Sequence, residues 1–397
     1  MEDVAVGPLV KTALVVTDAR RRVLFVGAFP TPGMSIFGGM ITSCQTLLSS
    51  TFASRLDLDL LDSTQISNPP PQFLVRLVRA AVRFVRFIGR FEGRRPDAVL
   101  LFVAVGASII EKGAMAWYSR LRGVPVIMFP RGGSVVDDCR DSLLTRVWVR
   151  WAFRGARKIV CQSESWQDFA IATLGFARGN VTVIRNWTAT RELLELGARR
   201  TTRQDSNVHL LFLGWLDREK GVFELIEACR RLEATRQFTL EIAGEGSASV
   251  EARALVVRHG LSERVRFRGW LRGPDLRQAL SDADVLVLPS WAEGLPNAMI
   301  EAMSARLAVV VSAVGAIPEL ISNRRSGMLV EPRNADSLAR ALDEVIVDGE
   351  LRENLAGEAY QIALRDFEVE TAVDRLIREI EDTIAAGREH RLSGRAL

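Results

Sequence analysis

A chain of 397 residues, 48% hydrophobic and 25% charged, is too long for one ordinary core and suits two domains of nearly equal size. Four scattered cysteines without a CxxC pair and only three histidines suggest neither a disulfide frame nor a zinc site, which points to a reducing cytoplasm. The net charge of +4 hides an asymmetry: residues 1–190 carry 24 Lys and Arg against 14 Asp and Glu, leaving 28 against 34 for the rest, so the first half seeks an anionic partner.

Charge alone does not say whether that partner is nucleic acid, a membrane surface or a phosphorylated acceptor. Residues 1–22 hold a short apolar patch, but Glu2 and Asp3 stand where a secretory peptide carries positive charge, so export is not expected. The longest apolar run, 98–110, is strand-sized and contains Gly106, short of the roughly 18 to 20 residues a spanning helix needs.

Short apolar runs then alternate with helix-length segments from end to end, the pattern of parallel sheets covered by helices on both faces. The first half predicts strands at 22–27, 56–62, 97–105, 124–129, 158–161 and 181–184. After the polar stretch 197–206 the pattern restarts, with strands at 208–213, 238–243, 265–268, 285–288, 308–311 and 327–330. Both halves read as doubly wound α/β domains. The expected division is 1–190, 191–368, and a C-terminal helix and tail at 369–397, with the boundary near 188–206.

The strongest chemical signal is 284–303, DVLVLPSWAEGLPNAMIEAM: a buried strand, a tight loop, then a helix opening at Pro296. Free backbone N–H groups at such a helix start, together with its dipole, attract phosphate, and Gly294 and Leu295 stand where they would present them. Glu293 and Glu301, with seven residues between, can reach different parts of one ligand; the plain alternative is a capped helix with two solvated acids.

The surrounding residues carry a resemblance. FLGWLDREKG at 212–221, AGEG at 243–246, VRFRGWL at 265–271, the Glu-x7-Glu segment and VGAIPE at 314–319 occur in the order found in the retaining glycosyltransferases of family 4, which this chain resembles over most of its length. The resemblance implies a GT-B fold, two Rossmann-like domains facing across a cleft with the C-terminal helix crossing back to the first. It implies that Glu301 bonds the ribose hydroxyls of a nucleotide sugar, Glu293 holds hydroxyls of the donor sugar, and the backbone at Leu295 and Asn297 approaches sugar and phosphate. Lys220 would sit on the diphosphate, neutralising charge that grows as the nucleotide leaves. The family's arginine directly after Gly214 is missing, with Trp215 in its place, and Arg218 is the guessed substitute.

In the first half, FPTPGMSIFGG at 29–39 resembles the family loop whose paired glycines close over the diphosphate, which nominates Gly38 and Gly39. VIMFPRGGS at 126–134 stands where many relatives carry a histidine, and has Arg131 instead. None of His209, His259 and His390 lies in the first domain. Arg131 is read as binding the acceptor or a donor hydroxyl, or as a loop arginine capping a helix end. Asp137 and Asp138 read as helix starters or acceptor-side groups. Ser163 and Glu164 resemble a segment lining the cleft, and 185–188 resembles the end of the first domain. The candidate catalytic residues are thus Glu293, Lys220 and Arg131. Those for donor binding are Gly38, Gly39, Arg218, Lys220, Gly294, Leu295, Asn297 and Glu301, with no metal ligand.

The resemblance implies transfer with retention, without a metal or bound cofactor, from a UDP- or GDP-linked sugar to a glycan or lipid-linked acceptor in cell-surface polysaccharide assembly. Hydrolases retain configuration with a carboxylate nucleophile about 5 Å from a second acid. No carboxylate is nominated for the reacting face here, so attack on the same face, assisted by the leaving phosphate, is the family-derived expectation. The alternatives are a nucleotide-sugar epimerase or phosphorylase of the same architecture, or a basic nucleic-acid-binding protein, which would not need the Glu293 and Glu301 arrangement; nucleic acid is not expected as a partner.

Finally, Arg76, Arg79, Arg83, Arg86 and Arg90 recur every three or four residues within 72–95, one arginine stripe between apolar flanks. The segment reads as a helix lying on an anionic membrane with Phe73, Phe84, Phe87 or Phe91 dipping inward, or as a crossover helix that buries its wide face on the sheet. Arg146, Arg150, Arg154 and Arg157 form a second series that can extend the patch. The expected location is cytoplasmic, peripheral on the inner face of the cell membrane.

Overall fold

The computed structural model describes residues 20–30, 38–64, 71–133, 135–201 and 207–393. Most of the glycine loop before Gly38, Ser134 and part of the expected linker lie outside the described residues, as do the side chains of Phe73 and His390.

Two six-stranded parallel sheets carry the fold. The first contains β1 (Arg22–Gly27), β2 (Asp57–Asp62), β3 (Ala98–Val103), β4 (Val126–Pro130), β5 (Lys158–Cys161) and β6 (Val181–Val183), in the order β2-β1-β3-β4-β5-β6. The second contains β7 (Val208–Leu213), β8 (Phe238–Ala243), β9 (Val265–Gly269), β10 (Val285–Leu288), β11 (Ala308–Ser312) and β12 (Met328–Val330), in the order β12-β11-β10-β7-β8-β9. Runs such as AVLLFV in β3 are buried along their whole length, as strands covered on both faces must be. Strand order reverses between β1 and β3 and between β7 and β10, and open α/β sheets bind ligands outside the carboxyl ends of the strands at such points.

The chain passes between the halves at Ala189 and again at Glu368. These two crossings form one parallel bridge, with Ala189 N–H donating to the Phe367 carbonyl at 3.3 Å. Beyond it the helix Val369–Ser393 returns to the first sheet, where Val373, Leu376 and Ile380 share a core with Phe25, Phe102 and Ile127. A Lys158–Glu379 ion pair and Arg388 on Asp97 at 3.1 Å fix it there.

The arginine-rich segment is the helix Phe73–Gly93, and its faces differ from the expectation. Phe87 and Phe91 are fully buried and Phe84 packs against the same core, so these rings hold the helix to the domain and do not face outward. Arg83 clamps Glu111 through Nε at 2.6 Å and Nη2 at 2.9 Å, and Glu111 also accepts from buried Lys112 at 3.1 Å. Arg90 pairs with Asp59. What remains outward is Arg76, Arg79 and Arg86 with Leu74, Leu77, Val78, Val82 and Val85. Two of the five arginines are therefore tied to the domain, and Arg83 is structural, because the buried Glu111 carboxylate without its guanidinium is far costlier than a solvated one.

Candidate active site

The main cavity, about 640 Å³, lies between the two halves. Its first-half walls follow strand ends: Val105 after β3, Arg131 and Gly132 after β4, Gln162 after β5 and Asn186 after β6. Its second-half walls do the same, with Trp215 after β7, Trp270 after β9, and Ser290 and Glu293 to Asn297 after β10. The cavity thus sits over both points where strand order reverses.

The helix Asn297–Ser304 opens behind Pro296 with no side chain capping its first turn, which leaves its N–H groups free for an anion. Lys220 stands beside it, Nζ 2.6 Å from Glu293 Oε1, and Ser290 Oγ donates to the same oxygen at 2.8 Å. Lys220 reaches this point because Gly221 turns the chain with φ of 71°, where any Cβ would meet the Pro289 carbonyl oxygen at 2.0 Å. Expected to serve phosphate and sugar separately, Lys220 and Glu293 hold each other across the pocket wall. Glu301 lies one turn into the helix, lines the cavity and is nearly enclosed, and burial pushes its carboxyl up to about 8.

Gly38, Gly39, Gly294, Leu295 and Asn297 all line the same cavity. Asn297 does so in an unexpected way, since its side chain is committed to the seam between the halves. Nδ2 donates to the Gly39 carbonyl at 2.8 Å and Ser43 Oγ at 3.1 Å, and Oδ1 accepts from Asn186 Nδ2 at 2.7 Å. Asn186 Nδ2 also donates to the Leu295 carbonyl at 2.6 Å. On the other side of the loop, a Cβ on Gly133 would lie 2.4 Å from the Glu293 carbonyl, so only glycine allows the two chains to pass so closely.

Arg131 lines the cavity on a bed of aromatic rings, its guanidinium 5.5, 5.0 and 5.2 Å from the ring centres of Phe102, Phe129 and Trp187. It donates to Ser43 Oγ and, with the Gln162 amide oxygen turned toward it, to that oxygen at 3.1 and 3.2 Å. It caps no helix end, and burial lowers its pKa to about 10, which leaves it charged at neutral pH.

Arg218 is a correction. It pairs with exposed Glu251 at 3.3 Å, lies over Phe223, and is not among the residues lining the cavity, so it does not replace the missing arginine. Trp215 itself fills that place, packed edge-on against Trp270 at 4.7 Å with its Nε1 3.7 Å from where a Gly38 Cβ would be. Ser163 and Glu164 also leave the cleft wall: Ser163 caps the helix Glu164–Ala172, whose first N–H groups, at Glu164 and Ser165, donate to Glu319 of the second half at 3.0 and 3.1 Å. Asp137 and Asp138 occupy the first turn of the helix Val135–Asp141, as helix starters. Ser43, Asn186 and Trp270 were not singled out as site residues. Trp270 stood just past a predicted strand end, the one signal that would have found it.

Residues 198–362 match the glycosyl transferases group 1 family, and residues 58–187 match a glycosyl transferase 4-like domain. An alpha-D-kanosaminyltransferase of Streptomyces kanamyceticus is 30% identical over 282 residues, 66% of this chain and 73% of that protein. The chain belongs to the glycosyl transferases group 1. It is also similar to the lipopolysaccharide core biosynthesis glycosyltransferase LpsE of Rhizobium meliloti, 29% identical over 57% of this chain and 64% of that one. The chain spans about half the length of several curated relatives it matches: 40%, 57% and 53% of three of them. Among solved structures, Anabaena HepE in complex with UDP superposes with a TM-score of 0.66 over 91% of this chain and 100% of that one, at 16% identity, a likeness of fold. The two parallel sheets are those of a GT-B fold.

Proposed function

We propose that the chain is a retaining, metal-independent glycosyltransferase that moves a sugar from a UDP- or GDP-linked donor to a glycan or lipid-linked acceptor. The observation that carries this reading is the convergence of Lys220, Glu293, Glu301 and the uncapped helix start at Asn297 on one cavity faced by Gly38 and Gly39. In it, Glu301 accepts from the ribose hydroxyls. Glu293 orients donor-sugar hydroxyls, its carboxylate held by Lys220 and Ser290. As the anomeric bond breaks, charge builds on the departing diphosphate, and the Lys220 ammonium and the helix N–H groups stabilise it. Arg131 presents a fixed cation from the opposite wall. The UDP complex of a structural neighbour supports a nucleotide-sugar donor, and the name of the lipopolysaccharide-core relative supports a role in cell-surface polysaccharide assembly. The arginine-bearing face of the helix Phe73–Gly93 supports a place on the inner membrane surface.

Thermal-shift screening of nucleotide sugars tests the donor: a ligand at 100 times its Kd adds about 2.7 kcal/mol of stability. Transfer from that donor should persist in EDTA, since among the described residues no group of three or more His, Cys, Asp or Glu is placed to hold a metal. Donor turnover independent of any acceptor would instead mark an epimerase, and loss of activity on chelation restored by Mn²⁺ would overturn the metal-free mechanism.

A further inference from the structure

A second cavity of about 520 Å³ lies at the opposite end of the first sheet from the cleft, where β4, β5 and β6 begin. Arg120, Arg154 and Arg157 line it, and no Asp or Glu does. Arg120 closes the helix Ala107–Leu121 and Arg154 the helix Leu143–Phe153, while Arg157 precedes β5. Arg150 reaches the same rim, its Nη2 3.2 Å from where a Cβ on Gly175 would lie.

Two of these cations are held in place without being neutralised. Arg120 donates to the Arg154 carbonyl at 2.8 Å and lies over the Trp117 ring at 5.3 Å, and Arg157 donates to the Ala386 carbonyl at 3.1 Å. Among the described residues none of Arg120, Arg150, Arg154 and Arg157 has a carboxylate partner, whereas their neighbours Arg83, Arg90, Arg94 and Arg122 all do. Capping of helix ends accounts for part of the arrangement. The helix Glu164–Ala172 also ends here, just before Leu174 and Gly175 of the lining, and the three helix ends carry about −0.5 of a charge each, against three full charges in the lining and a fourth on the rim. The excess is positive and borne by guanidinium forks around the cavity, which match tetrahedral oxyanions two N–H groups at a time.

We infer that this cavity binds a phosphate group, at a site separate from the donor cleft. Beside these arginines the surface is apolar: Leu121, next to Arg120, is 81% exposed, and Trp151, 46% exposed, stacks on the Trp117 ring that lies under Arg120. A phospholipid headgroup and a free phosphate share the required chemistry, and this neighbouring apolar surface suits the former, with the indole rings at the level of the lipid interface.

The test pairs inorganic phosphate, titrated at constant ionic strength with chloride as control, against flotation with phosphatidylcholine vesicles with and without phosphatidylglycerol. Arg150→Gln combined with Arg154→Gln removes two exposed charges whose guanidinium groups have no ion-pair partner among the described residues, and a nucleotide-sugar thermal shift equal to wild type shows that the variant is folded and its cleft intact. Phosphate stabilisation, or retention on phosphatidylglycerol vesicles, should fall by more than about tenfold in that variant and persist in Lys220→Ala. A response to phosphate alone identifies a soluble ligand, and a response to vesicles alone identifies a headgroup. Equal responses in wild type and the double variant, or no response to either probe in the wild type, overturn the site. The donor assignment is untouched by either result, because it is read from the nucleotide-sugar shift.

Discussion

Asn297 Nδ2 donates to the Gly39 carbonyl at 2.8 Å, joining two residues 258 positions apart and tying the first turn of the second-half helix to the first turn of the helix Gly39–Leu48. Asn186, Asn297 and Ser43 thereby form one line of side-chain amide and hydroxyl contacts between the halves. Asn297→Ala leaves Asn186 with one acceptor fewer and removes both of its own donations. It should lower stability by about 1 to 3 kcal/mol and weaken donor binding by loosening the seam. Asn297→Asp keeps the acceptor for Asn186 but cannot donate to Gly39, so small-angle scattering should show a more open pair of domains for both variants. An unchanged scattering profile would mean that the bridge at Ala189 and Glu368 sets the closure alone.

On the proposed donor placement, Lys220→Ala removes a charge-assisted phosphate contact worth on the order of 1.5 to 3 kcal/mol, roughly tenfold to more than a hundredfold in kcat/KM. It also strips Glu293 of its cationic partner, leaving the Ser290 hydroxyl as its donor among the described residues. Glu293→Gln, which keeps the shape and relieves Lys220 of its ion pair, should cost less in nucleotide binding than in turnover. Near-normal kinetics in Lys220→Ala would sink the assignment of Lys220 to the diphosphate.

With Glu301 on the ribose as proposed, donor binding should depend on pH. The Glu301 carboxyl titrates near 8 in the folded protein through burial, against an ordinary value near 4.5. The folded state therefore holds an extra proton between these values, so the contribution to stability is present at low pH and is lost as pH rises toward 8. Accepting two ribose hydroxyls requires the ionised form, so binding below pH 8 expels this proton. Affinity for the nucleotide should rise about tenfold per pH unit up to roughly 8 and then level off. Glu301→Gln should abolish that slope and lose less stability than the wild type as pH rises. A flat wild-type profile by calorimetry, in buffers of differing ionisation heat, would show that Glu301 stays neutral in the complex.

How much of this was legible beforehand follows from the range of the interactions. The sheets were readable because doubly covered parallel strands are continuous apolar runs; β1, β5, β7, β8 and β10 begin and end at the expected residues. The loop from β10 into the helix at Asn297 was readable because strand, glycine and helix start are contiguous. Arg218 misled because nearness in sequence to Trp215 says nothing of direction: the short helical turn Arg218–Lys220 sends Lys220 to Glu293 and Arg218 outward to Glu251. The split of the arginine stripe was invisible for a related reason, since Glu111 and Asp59 come from other elements.

That split sharpens the membrane prediction. Arg76, Arg79 and Arg86 are exposed and make no ion pair among the described residues, and Leu74, Leu77, Val78 and Val85 stand out between 55% and 71% exposed on the same helix. A helix with that much uncovered apolar surface beside arginines fits the boundary of an anionic bilayer, each basic residue contributing about 1 kcal/mol at low salt. The protein should sediment with anionic vesicles and be released at high salt. Changing Arg76, Arg79 and Arg86 to Glu should reduce sedimentation while leaving the melting temperature and the nucleotide-sugar shift unchanged. Arg83→Glu should behave in the opposite sense, placing a second carboxylate against Glu111 and lowering the melting temperature, because a broken buried pair is worth about 3 to 5 kcal/mol. If the wild type ignores anionic vesicles, the outward face of this helix does not contact lipid and the acceptor is soluble.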